Sequence, residues 1–154
     1  MVSRRSGTRR PRRDIRIAVA GTRRPLSPRA VRRVVGAVLD GEGTGDAAFS
    51  VTFLGAGRMR ALNRRTFGRD RVTDVIAFEL PHAGRWGGDL YVCPPAARAA
   101  VAAGVPLAEE LVRLLVHGTL HALGYEHPEG EGRTRSRMWR RQERYVRALT
   151  TRGQ

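Results

Sequence analysis

The chain has 154 residues, 41% of them hydrophobic, and a formal net charge of +15 at pH 7 from 29 basic residues, all arginine, against 14 acidic ones. No apolar run approaches the roughly 20 residues of a membrane-spanning helix, and the basic first residues lack the apolar segment of a secretory signal, so no membrane role is expected. The single Cys93 excludes an internal disulfide and suits a reducing cytoplasm, where it packs as a small apolar residue, while the excess charge calls for a polyanionic partner, nucleic acid first.

Residues 1 to 13 carry Arg4, Arg5, Arg9, Arg10, Arg12 and Arg13 with no acid and almost nothing to bury, which predicts a disordered arm before one folded domain over residues 14–152. Alternating Ile15, Ile17 and Val19 predict a strand. Ser27-Pro28 is an N-cap followed by a first-turn proline, and it starts a helix through Val31, Val34, Val35 and Val38 to the glycine-rich turn at residues 41–45. A second strand is expected over Ala48 to Leu54, then a short helix from Arg58 to Thr66 with Met59 and Leu62 inward. Arg58, Arg60, Arg64, Arg65, Arg69 and Arg71 crowd this helix and the following loop, opposed by Asp70 alone. Arg58, Arg64, Arg65, Arg69 and Arg71 are therefore the candidate contacts to an RNA backbone.

Further strands are predicted over Val72 to Leu80 and Asp89 to Val92, joined by a loop that holds His82. Asp74 is placed either to orient a histidine or to cap a strand end. Pro94-Pro95 opens a helix from Ala96 to Ala103, ended by Gly104, and a last, strongly basic helix covers Arg133 to Thr150. Helices interspersed with four short strands point to an α+β fold, a small mixed four-stranded sheet with helices packed on it.

Three of the four histidines, His117, His121 and His127, fall within eleven residues and are spaced H-x3-H-x5-H. At about 100° per residue, the run from Leu107 puts Leu111, Leu115, Gly118 and Ala122 on one side, with other apolar residues beside them. A narrow stripe is left for Glu110, Arg113, His117 and His121. Residues four apart stack on one helix face, so both imidazoles can point at one ion. Gly124 is placed to end the helix in a left-handed conformation, and Tyr125 and Glu126 then return the chain so that His127 meets the same point. Three neutral imidazoles with an open fourth position describe a catalytic zinc site, where a bound water loses its proton more easily. His117, His121 and His127 are thus the candidate ligands of one Zn2+. The spacing also matches most of the metzincin pattern H-E-x-x-H-x-x-G-x-x-H, but Gly118 stands where that pattern has its general-base glutamate.

The segment His117-Gly118-Thr119-Leu120-His121-Ala122-Leu123-Gly124-Tyr125-Glu126-His127 resembles the signature of the YbeY family, bacterial endoribonucleases that help mature ribosomal RNA. Glu126 replaces that signature's aspartate. Leu62-Asn63, followed by Asp70-Arg71-Val72-Thr73-Asp74-Val75-Ile76-Ala77-Phe78, is similar to a second family block, with Val72 in place of its proline. Gly88-Asp89-Leu90-Tyr91-Val92 is similar to the family's G-D-I strand. The blocks keep the family's order and span about residues 50 to 147. One departure concerns the site itself: the family usually has an arginine three residues before the first aspartate of the second block, and this chain has Phe67 there.

The resemblance implies the same α+β fold, with a metal cleft formed by the central histidine-bearing helix beside the sheet. It also implies a single-strand-specific, zinc-dependent endoribonuclease that acts in maturation of the 16S ribosomal RNA 3′ end and in ribosome quality control. Implied partners are single-stranded RNA, the ribosomal RNA of the small subunit, and a ribosomal protein or assembly GTPase, all in the cytoplasm. Composition by itself speaks only for an anionic partner. Two other readings stay open: a non-catalytic, RNA-binding ribosome assembly factor, and a zinc metallopeptidase-like hydrolase with Glu126 or Glu110 as base.

Overall fold

The computed structural model describes residues 14–21, 24–80 and 84–151; the arginine-rich stretch before residue 14, and His82, lie outside the described residues. Strand β1 (Ile15–Gly21) leads through α1 (Pro28–Gly41) to β2 (Ala47–Phe53), and α2 (Ala56–Phe67) leads to β3 (Val75–Glu79) and β4 (Trp86–Val92). Helices α3 (Pro94–Ala100), α4 (Leu107–Ala122) and α5 (Arg137–Thr151) complete the chain. The sheet runs β1-β2-β4-β3; β1, β2 and β4 are parallel and β3 is antiparallel at the edge. This is the small mixed sheet that the alternating patterns predict. Among the described residues, no helix is long and apolar enough to cross a membrane.

Local chemistry accounts for most element ends. The Ser27 hydroxyl accepts the Ala30 N–H at 3.1 Å, and Pro28 occupies the first turn of α1, where its missing N–H leaves no bond unmade. One face of the sheet meets α1 and α4. Phe49, Val51 and Leu90 pack there against Val35, Leu115 and Leu120, and α5 covers the far side of α4 through Met138 and Val146. Each of the fully buried leucines of α4 contributes roughly 1.5–3 kcal/mol relative to exposure. On the opposite face, at the β3–β4 end, Met59 of α2 meets Ile76 and Cys93, with Leu62 and Phe78 beside them. Cys93 is fully buried in that smaller cluster and acts as an apolar residue there.

Several boundaries differ from the sequence reading: β4 starts at Trp86, three residues before the expected Asp89, and α2 at Ala56, two before Arg58. Residues 72–74 are not strand, because the preceding turn is tied to α2 by Asn63, whose amide donates to the Arg71 carbonyl at 3.0 Å. Helix α3 starts two residues earlier than expected, as both prolines fit its first turn, and it ends by Val101, whose backbone is extended. The last helix is broken at its start: Arg133–Arg135 form a 3-10 turn, and the Ser136 hydroxyl then accepts the Trp139 N–H at 3.1 Å, the bond of a helix N-cap.

Candidate metal centre

Helix α4 is buried on nearly every side, and its half-exposed positions include Arg113, His117 and His121, the narrow stripe that the periodicity leaves. Gly124 follows with φ +96°, which reverses the chain and brings His127 back over the helix end. Ring centroids lie 4.6 Å apart for His117 and His121, 5.1 Å for His117 and His127, and 4.9 Å for His121 and His127. One ligand nitrogen from each lies within 4.8 Å of the others, a group able to hold a metal ion.

Each imidazole has an oxygen at its other nitrogen. His117 Nδ1 faces Gln142 Oε1 at 2.6 Å, His121 Nδ1 faces the Tyr125 carbonyl at 2.8 Å, and His127 Nδ1 faces the Pro128 carbonyl at 3.0 Å. A carbonyl can only accept, so Nδ1 of His121 and of His127 carries a proton, and Nε2 is the ring atom left to bind an ion. For His117 the amide orientation decides. Gln142 Nε2 donates to the Glu143 carboxylate at 3.2 Å, which leaves Oε1 to accept from His117. Acceptors at Nδ1 fix tautomer and ring direction, as they do for metal-binding histidines. Burial, opposed by the Gln142 bond and helped by the neighbouring imidazoles, pushes His117 down to about 4. His121 is lowered chiefly by burial, then by His127. Three imidazoles that present Nε2 to one point fit a zinc-type donor set with one side open.

Two residues that the sequence did not single out hold this arrangement. Gln142 is 1% exposed and sits between Met138 and Val146 on the buried face of α5; a lone amide in an apolar stripe was the available signal. Glu42, just past α1, accepts hydrogen bonds from the Tyr125 hydroxyl at 2.6 Å, the Tyr145 hydroxyl at 2.5 Å and Arg141 at 2.8 Å. Tyr125 is the residue whose carbonyl orients His121, so Glu42 anchors the returning loop.

A cleft of about 480 Å³ opens beside His121, lined among others by Phe67, Arg69, Arg71, Glu79 and Glu126. A smaller cavity of about 220 Å³ is lined by Asp74, Arg113, His117, His127 and Arg133. The five candidate RNA-binding arginines are therefore divided. Arg69 and Arg71 reach the histidine cleft. Arg64 and Arg65 line a separate concavity with Arg60 and Asp70, and Arg58 lies at the start of α2 beside β2. Arg60 pairs with Asp70 at 2.8 and 3.0 Å, an exposed ion pair of small worth. Among the described residues no histidine Nδ1 goes to Asp74; its carbonyl accepts the Cys93 N–H at 2.8 Å.

The proposed peptidase bases fare differently. Glu110 is bound to Arg113 at 3.0 Å, and Arg113 also forks onto Glu143 at 2.8 and 3.1 Å. Glu126 remains exposed at the cleft mouth. A Cβ at Gly118 would lie 3.0 Å from Leu90 Cδ2, so that position faces the sheet, against which the helix is closely packed.

The family model for endoribonuclease YbeY matches residues 22–150. A Geobacter sulfurreducens protein named endoribonuclease YbeY is 36% identical over 139 residues, covering 85% of this chain and 91% of its own length. A Thermus thermophilus protein of the same name is 37% identical over 128 residues, covering 75% and 88%. The solution structure of a Thermotoga maritima protein superposes with a TM-score of 0.56 at 25% identity, covering 88% of this chain and 90% of that one.

Proposed function

The chain belongs to the endoribonuclease YbeY family, and on that premise we propose that it is a single-strand-specific, zinc-dependent endoribonuclease that matures the 3′ end of 16S ribosomal RNA and serves ribosome quality control. The observation that carries this reading is the convergence of His117, His121 and His127 at one edge of an arginine-lined cleft. Three imidazoles and an open side suit zinc, held by the three Nε2 atoms. When bound, such an ion polarises a phosphoryl oxygen and makes water a better nucleophile.

The chain's own residues do the rest. The Gln142 side-chain carbonyl and the Tyr125 and Pro128 backbone carbonyls accept hydrogen bonds from the Nδ1–H groups and hold each ring in one orientation. Arg69 and Arg71 offer positive charge to phosphates in the cleft beside His121, and Arg133 offers it in the cavity beside His117 and His127. A single strand laid across both cavities would pass the histidines, whereas a duplex is wider than one backbone and its paired bases cannot splay into a cleft. The reading extends to the small ribosomal subunit as the place of action, with a ribosomal protein or assembly GTPase as partner and the cytoplasm as compartment.

The non-catalytic assembly factor is the second reading, and the observation favouring it is Phe67, a ring without charge at a position where the family usually has arginine. Both are tested by cleavage of a labelled single-stranded ribosomal RNA fragment with wild type, His117→Ala and metal-stripped protein, zinc content being measured on each. Cleavage that tracks bound metal supports the nuclease. RNA that binds equally to all three and is cut by none overturns it in favour of the assembly factor.

A further inference from the structure

Phe67 is the last residue of α2 and is 54% exposed, yet it belongs to neither buried cluster. Its ring lies parallel to that of Phe78, with centroids 6.4 Å apart and planes 5° from coplanar directions. Phe78 is itself fixed edge-on against Tyr91, at 5.9 Å and 81°. Phe67 is thus a ring held in place from below and open above. It lines the cleft that contains His121, with Arg69 and Arg71 on the same wall.

A phenyl ring cannot hold a phosphate, and this one, although stacked on Phe78, keeps much of its apolar surface in water beside a charged wall. It does offer a π-face. Nucleobases stack on such faces when they are unpaired, and the neighbouring arginines can take the backbone that carries them. We infer that Phe67 is a stacking platform for one unpaired nucleobase of the RNA strand in the histidine cleft. This rests on the nuclease reading and deepens it: the platform accepts only a base freed from pairing, which supplies a physical reason for a preference for single strands. Positive charge beside the platform comes from Arg69 and Arg71, which line the same cleft.

The test uses single-stranded oligoribonucleotides carrying 2-aminopurine at successive positions, whose fluorescence falls when the base stacks. They are mixed rapidly with the zinc-loaded protein so that binding is read before cleavage. Wild type should quench the probe at one register. Phe67→Ala and Phe67→Leu should abolish that quench and weaken binding about 5- to 150-fold, the span of base–aromatic stacking on substitution. Phe67→Trp should keep both. The leucine variant separates stacking from mere apolar contact, and unchanged zinc content and melting temperature show that each variant is folded. Wild type that binds and cleaves RNA, with the same quench and affinity in Phe67→Ala or Phe67→Leu, overturns the platform and leaves the nuclease intact. Wild type that neither binds nor cleaves RNA overturns the nuclease and the platform with it.

Discussion

Gln142 Oε1 accepts the Nδ1 proton of His117 at 2.6 Å, so the direction of the first histidine is set by a residue of another helix. Removing the acceptor leaves a buried N–H unpaired and the ring free to turn. Gln142→Ala should lower zinc affinity about 10- to 100-fold, the usual cost of losing such a partner. Gln142→Glu keeps an acceptor and should lose less. Competition with a zinc-binding dye measures both. Excess zinc should restore cleavage to the alanine variant if Gln142 only positions His117; failure to restore it would assign Gln142 a part in the reaction.

Glu42 ties three elements together, and its side chain is only 6% exposed. Burial acts to raise its pKa, but hydrogen bonds from Tyr125, Tyr145 and Arg141 outweigh it and hold the carboxylate below its ordinary 4.5. A lowered native pKa contributes stability that is complete above about 4.5 and is lost as pH falls through the lowered value. Glu42→Gln should therefore be less stable at neutral pH, by about 1–3 kcal/mol. Its melting temperature should also fall less between about pH 5 and about pH 3 than that of wild type. Parallel acid limbs for the two proteins would contradict this.

The division of the basic patch predicts two classes of arginine. Arg69→Ala and Arg71→Ala should each weaken binding of single-stranded RNA and reduce the slope of log affinity against log salt by about 0.7 per lost phosphate contact. Both should slow cleavage, because the lost charge lies in the cleft beside His121. Arg64→Ala and Arg65→Ala act on a separate concavity and should leave the cleavage rate at saturating RNA unchanged. Salt titrations by fluorescence anisotropy, with single-turnover cleavage alongside, distinguish the classes.

The histidine site was legible because its determinants are local. The i, i+4 spacing, the apolar remainder of α4 and the glycine stop all lie within one helix and its exit, where helical periodicity alone relates residues in space. Gln142 and Glu42 were not legible as supports, because each acts across the fold: Gln142 is 25 residues from His117, and Glu42 is 83 residues from Tyr125. The arginine patch is divided between concavities for a related reason. Counting charges along α2 does not say which side of the helix faces the cleft, and the packing of Met59 and Asn63 inward decides that. Boundaries slipped where side chains outweighed propensity, as at Ser136, whose hydroxyl restarts the last helix.

Gly118 gives the sharpest test against a peptidase. Its position is where a metzincin would carry its base, but a Cβ there would sit 3.0 Å from Leu90 Cδ2 and 3.4 Å from Val75 Cγ2. Gly118→Ala gains up to about 1 kcal/mol of helix propensity. It pays about 1–3 kcal/mol for overpacking, so the net effect should be modest destabilisation with zinc binding kept, since the Leu90 side-chain tip can shift. Gly118→Glu adds a carboxylate between helix and sheet with no partner in reach, which costs far more than the methyl group. That variant should melt at a much lower temperature and hydrolyse no peptide. A Gly118→Glu protein with wild-type melting temperature and measurable peptide hydrolysis would mean that this face of α4 points to the metal and not to the sheet.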